Sequence, residues 1–223
     1  MERGGSILNL QAIEASLRDV QAQFPRINAI LKSRRDSMDD AIVERMLLGY
    51  AFVDDLLARK VDLFSLAHLR CFLELNAIVL CGLDPAVRAE SARHLAATEK
   101  HFYDEKDGGI RDIIEWYGMH AKESAWKRAA GVYIRVLSEP ELFIEGNHRT
   151  GALIMSYILA RDGYPPFVLT VENAQAYFDP STLITKKKKK SLTLLLEMPR
   201  LKRQFAEFLT SQENPKYLQR QRA

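Results

Sequence analysis

Between residues 8 and 137, apolar residues recur three and four positions apart in one segment after another, and that spacing confines this part of the chain to helices. Leu8, Leu10, Ile13, Leu17, Val20 and Phe24 trace the first stripe. Pro25 is expected to interrupt it, with a short helix from residue 27 to about 32 following. Ser37-Met-Asp-Asp40 reads as a cap with acidic residues in the first turn. The helix it opens, about 38–59, carries Ile42, Met46, Gly49, Phe52, Val53, Leu56 and Leu57 on one face. Ser65 opens another that stops at Gly82, and Asp84-Pro85 starts a third, expected to reach residue 103. Gly108-Gly109 breaks the chain, and two more helices are expected over 110–120 and 124–137. Later segments add a helix from 149 to about 161, a short one at 172–177 and a basic helical end over 186–197 and 200–210, divided by Pro199. Residues 167–170, Phe-Val-Leu-Thr, form the one credible strand. An all-α fold with a short β element near Phe167 is the expectation.

Chemistry concentrates in Glu141-Leu-Phe-Ile-Glu-Gly-Asn-His-Arg-Thr-Gly-Ala152. A loop ending in Gly146-Asn147 runs into the helix at 149, and a helix start offers unpaired N–H groups and the positive end of the macrodipole to anions. Gly146 permits a sharp turn and close ligand approach. Asn147 tolerates left-handed backbone and brings its own donors and acceptor, and Arg149 adds a fork of donors suited to phosphate. Glu145, just before the turn, is placed to hold Mg²⁺ beside that phosphate. The residues describe a cradle for a nucleotide or another phosphate ligand.

This stretch resembles the signature loop of the Fic (Fido) family, His-x-Phe-x-Asp/Glu-Gly-Asn-Gly-Arg-x-x-Arg. Phe143, Glu145, Gly146, Asn147 and Arg149 match at the right spacing. Thr150-Gly151 and the exit Gly163-Tyr-Pro-Pro-Phe also look like the family's next helix and its end. The resemblance implies a single helical domain built around a central signature helix. It also implies a nucleotide-dependent transferase that moves AMP from ATP, with Mg²⁺, to a hydroxyl on a target protein. Within it, Glu145 would hold the metal, and Phe143, Gly146, Asn147, His148 and Arg149 would form the phosphate and nucleotide site. Three helical parts are expected: residues 1–60 packing on the core, 61–180 carrying the signature, and 181–223 as a basic end.

Three positions depart from the pattern. Glu141 stands where the family has its catalytic His, His148 replaces the second Gly, and Ala152 replaces the closing Arg. The general base of AMP transfer and one phosphate-binding cation are therefore missing. Three readings of Glu141 stay open: a surface carboxylate in a dead site, a substitute general base, or a charge that repels phosphate. The primary expectation is a Fic-family protein with an altered site, binding a nucleotide or phosphate ligand and weak or inactive in AMP transfer. The alternatives are a non-catalytic protein-interaction module on the same scaffold, or a transferase using Glu141 as its base. His120 is a stand-in base by position, although a helix-terminal role suits it better.

Composition narrows the partners. No apolar run approaches the ~18 residues of a membrane span, and residues 1–6 lack the apolar core of a signal peptide, so a cytoplasmic protein is expected. Cys71 and Cys81, placed on one helix about 15 Å apart along its axis, cannot bridge and read as buried thiols. From Lys186 onward there are 11 Lys/Arg against 3 Asp/Glu; before it there are 21 against 26. The body is thus mildly acidic, and the five lysines at 186–190 read as a solvated junction without the aromatic interleaving of single-strand binders. Nucleic acid and membrane are not expected partners; a nucleotide, a target protein and a second copy of the chain in a homo-oligomer are.

Overall fold

The computed structural model describes residues 6–104, 109–185 and 192–219, with the backbone alone at 192–195. Ten α-helices follow in chain order among the described residues. They are α1 (Leu10–Ile30), α2 (Asp40–Ala58), α3 (Arg70–Cys81), α4 (Pro85–Glu90), α5 (Ala92–Phe102), α6 (Ile110–Met119), α7 (Ala125–Leu137), α8 (Asn147–Arg161), α9 (Ala174–Thr185) and α10 (Leu192–Ser211). The lysines at 186–190 lie outside the described residues. Asp84 caps α4 as expected, whereas α2 starts two residues later than expected, capped by Asp39 rather than Ser37, and Ser124 caps α7; each of the three accepts a bond from a backbone N–H of the first turn.

The spine is α8. Every residue from Thr150 to Ala160 is buried, so this helix has no solvent face. Leu153, Ile154 and Ile158 have no exposed surface and Tyr157 has 1%. It packs against α7, α2 and α3, and α7 also packs against α10. Close approach needs small residues. A Cβ built on Gly151 would stand 2.8 Å from the Tyr133 ring of α7, and one on Gly49 of α2 would stand 2.4 Å from Leu153. Buried polar groups on α8 are satisfied: Tyr157 donates to the Val61 carbonyl and accepts from Leu63 N–H, and Ser156 lies 2.8 Å from the carbonyls of Ala152 and Phe167. The chain ends are joined by an isolated bridge between Leu8 and Leu218, with Asn9 N–H donating to the Tyr217 carbonyl.

Several local expectations give way to packing. The segment expected as a strand at 167–170 is not one: it joins no strand among the described residues. Side chains take its carbonyls instead: Tyr50 reaches Phe167, Asn173 reaches Val168 and Ser16 reaches Leu169. With those acceptors satisfied, the segment needs no ladder. Pro25 does not end α1, and Pro199 does not divide α10. Continuing α1 past Pro25 buries Ile27 and brings Leu31, just beyond the helix, into one cluster with Val20, Phe24 and Ala174 of α9, which offsets the lost backbone bond. Beyond Pro199, Phe205 and Leu209 are buried in the main core.

The helix expected from Pro85 to residue 103 is two helices meeting at Ser91, whose N–H turns back to the Val87 carbonyl. Ser65 caps a 3₁₀ turn at Leu66–His68 before α3 begins. The short helix expected at 172–177 starts instead at Ala174 and runs to Thr185, behind a reciprocal Thr170–Asn173 pair. Both cysteines sit on α3 as free thiols, Cys81 buried and Cys71 only partly so.

Candidate functional site

A cavity of about 390 Å³ opens over the N-terminal end of α8. The signature loop forms one wall through Glu141, Ile144, Glu145 and Gly146, and the first turn of α8 forms the floor through Asn147, His148, Arg149 and Ala152. The α1–α2 linker, residues 31–39, closes another side with Arg35, Asp36, Ser37 and Met38, and Tyr177 and Phe178 of α9 line it together with apolar residues of α1, α2 and the 167–170 segment. All of the sequence-selected positions except Phe143 therefore meet at one cavity. Phe143 is 1% exposed and stacks on Phe102 with ring centroids 5.7 Å apart, so it anchors the loop in the core. His120 does not line the cavity; its Nδ1 donates to the Trp116 carbonyl, and the two rings stack.

Gly146 makes the turn with φ 78° and ψ 9°, in the left-handed region that a side chain resists. A Cβ there would also come within 3.0 Å of the Asn76 amide. That amide, on α3, donates to the Glu145 carbonyl and to Thr150 Oγ1, so the turn is held from outside the loop. Asn147 holds it from inside. Its Oδ1 accepts from Phe143 N–H, and its Nδ2 donates to the Phe143 carbonyl at 2.8 Å and to Glu141 Oε2 at 2.6 Å. Both donors and the acceptor of this side chain, which is 3% exposed, are thereby committed within the loop.

Glu141 is held through both its side chain and its backbone. One carboxylate oxygen accepts from Asn147, and the backbone carbonyl accepts from His101 Nε2 at 2.8 Å. Glu145 stands at the rim with its side chain 65% exposed, 3.9 Å from His94 Nε2. Among the described residues no group of three or more His, Cys, Asp or Glu side chains could hold a metal. Glu145 could serve a cation together with ligand oxygens and water. Arg149 donates Nη1 to the Val79 carbonyl of α3 at 3.0 Å. Burial pulls its guanidinium below the usual range and Arg45 adds to that, while Glu145 opposes both.

His148 is part of a chain of hydrogen bonds. A guanidinium only donates, so Arg35 Nη1, 3.3 Å from His148 Nε2, makes that nitrogen an acceptor and puts the ring proton on Nδ1. Nδ1 then donates to Tyr133 Oη, which donates to Ser181 Oγ, which donates to the Tyr177 carbonyl. Tyr177 closes the circuit by donating to the His148 carbonyl at 3.0 Å. Burial, and then the Arg35 charge, push the His148 pKa down from 6.5 to about 4.

The unfolded chain therefore takes up this proton near pH 6.5 and the folded chain only near pH 4. Between those values the unfolded state binds more protons, so stability should fall as pH falls, by up to about 3 kcal/mol. Urea midpoints from pH 7 to pH 4 should drop more steeply for the native chain than for His148→Gln. Parallel curves would mean that His148 titrates normally.

Arg35, Tyr133, Tyr177 and Asn76 were not selected from the sequence. The only local signal was the Arg34-Arg35 pair after α1, and such pairs usually face solvent.

No family model matches the chain. Over 72 residues, 31% of this chain, it is 32% identical to the protein adenylyltransferase fic-1 of Caenorhabditis elegans, and the match to fic-1 of Caenorhabditis briggsae has the same extent and identity. The matched region is 14% of the length of each of those proteins, so the chain spans a small part of them. A Fic-domain-containing signalling protein from Bacteroides thetaiotaomicron superposes with a TM-score of 0.48 at 14% identity, covering 91% of this chain and 86% of that one. Part of this chain is thus related in sequence to Fic-type proteins. Among the described residues no helix is long and apolar enough to cross a membrane.

Proposed function

We propose that this chain is a Fic-type protein that binds a nucleotide, or another phosphate-bearing ligand, in the cavity at the start of α8 and is weak or inactive in AMP transfer to protein hydroxyls. The observation that carries the reading is the 2.6 Å bond between Asn147 Nδ2 and the Glu141 carboxylate. It turns the residue at the position of the general base into a tie within its own loop. Glu141 is then poorly placed to take a proton from a hydroxyl, since one of its oxygens already accepts a strong charge-assisted bond. Ala152 leaves the floor of the cavity without a second cation.

Binding is supported by the cavity's position. The α8 terminus brings the positive end of a fifteen-residue helix to it and has no side-chain cap bond there. Mg²⁺ would be held by Glu145 at the rim, together with phosphate oxygens and water, and would supply charge neutralisation for the phosphates. Calorimetry with ATP or ADP in the presence of Mg²⁺ tests the reading. Saturable heat is expected, and Glu145→Ala should weaken binding only when Mg²⁺ is present. Heat that is identical with and without Mg²⁺, in both proteins, would remove the metal from the proposal.

A second reading is a partner-binding module on the same scaffold. It is favoured by the commitment of Asn147 and Arg149 to Phe143 and Val79, which gives both residues structural work without a ligand. On that reading the native chain gives no saturable heat with any nucleotide, and Arg149→Ala lowers the melting temperature and nothing else.

A further inference from the structure

The α1–α2 linker delivers a cation to the cavity wall. Arg35 is held there by its own backbone: its N–H donates to Asn28 Oδ1 and its carbonyl accepts from Asn28 Nδ2, both at 2.8 Å. The linker is tied again where Lys32 N–H meets Asp179 of α9 at 2.9 Å. The guanidinium lies over the Phe178 ring, 5.3 Å from its centroid, and Nη2 donates to Thr182 Oγ1 at 2.7 Å. These contacts fix the side chain before any ligand arrives, which lowers the ordering cost of binding.

None of the ion pairs among the described residues involves the Arg35 guanidinium, and its Nε is buried without a partner. Nη1 has only the long 3.3 Å contact to His148. A half-buried charge in this condition is costly until something pairs with it. The wall is not cationic as a whole, because Asp36, Glu141 and Glu145 also line the cavity. Of those, Glu141 already accepts from Asn147, and Asp36 and Glu145 are exposed. Arg149, the other cation at the cavity, spends a donor on Val79.

We propose that Arg35 is the principal phosphate-binding cation of this site, seating a phosphate group beside His148, while Arg149 mainly ties α8 to α3. The proposal rests on the reading that the cavity takes a phosphate-bearing ligand, and it names the residue that recognises it. A phosphate oxygen would displace the weak Nη1–His148 contact with a shorter, charge-assisted bond. The shared chemistry is the phosphate group, whether free or carried by a nucleoside.

The test is calorimetry on the full chain with Mg²⁺ and three probes: ADP, inorganic pyrophosphate and adenosine. Arg35→Gln should weaken ADP and pyrophosphate about tenfold to hundredfold and leave adenosine unchanged. Arg35→Lys should fall between native and Gln, because it keeps the charge and loses the fork. Arg149→Gln should change ADP affinity less than about threefold while lowering the melting temperature. Native ADP binding that Arg35→Gln leaves intact would overturn the role of Arg35 and leave the ligand reading standing. An equal loss for adenosine would also overturn it, as a collapsed cavity. No binding of ADP or pyrophosphate by the native chain would sink both. Should Arg35→Gln fail to fold, the Arg35 side-chain N–H resonance in the native chain decides: it should shift on pyrophosphate addition, and an unmoved signal during saturable binding overturns the proposal.

Discussion

Asn147→Ala should remove a large part of the chain's stability, about 3–6 kcal/mol by urea denaturation. The side chain satisfies both the N–H and the carbonyl of Phe143, a residue only 1% exposed, and also holds Glu141. Each buried group left without a partner costs roughly 1–3 kcal/mol. A domain of ordinary stability has only about 5–15 kcal/mol in total. Asn147→Asp should be no gentler: it keeps the acceptor for Phe143 N–H but sets a carboxylate against Glu141 and against a carbonyl oxygen. A loss under about 1 kcal/mol for Asn147→Ala would mean that the loop re-forms its bonds without this side chain. Then its commitment to structure, and with it the account of Glu141 as a tie, would fail.

Transfer chemistry should return only when several positions change together. Glu141→His alone supplies a base but takes a carboxylate from Asn147 Nδ2, and it leaves His148 and Ala152 in place. The combined change Glu141→His, His148→Gly and Ala152→Arg should raise AMP incorporation from radiolabelled ATP about 10²–10⁴-fold over the native chain, the range expected for restoring a positioned base. Each single change should give far less, because such groups act as a unit. His148→Gly carries its own cost, since it cuts the relay through Tyr133, Ser181 and Tyr177. Expression of the triple variant should therefore be checked by melting before activity is read. Robust labelling by the native chain would end the altered-site reading.

The sequence determined what is decided within a few residues. Helix periods, the cap at Asp84, the sharp turn at Gly146 and the buried run of α8 were all legible, because each depends on neighbours one or two turns away. So was the gathering of Glu141, Glu145, Gly146, His148 and Arg149 around one helix start. Tertiary structure decided what those residues do. Arg149 turns to the Val79 carbonyl, 70 positions away, and Asn76 holds the turn from 69 positions away. Arg35 reaches His148 across 113 positions, where no local pattern could announce it. Packing also overrode local rules at Pro25 and Pro199, where burying the next apolar turns outweighed a lost backbone bond. At residues 167–170, side chains from Ser16, Tyr50, Ser156 and Asn173 satisfied a backbone that β propensity alone would have put in a ladder. Propensity and capping are short-range energies, whereas the partner of a charge or a carbonyl is set by which helices come to lie side by side.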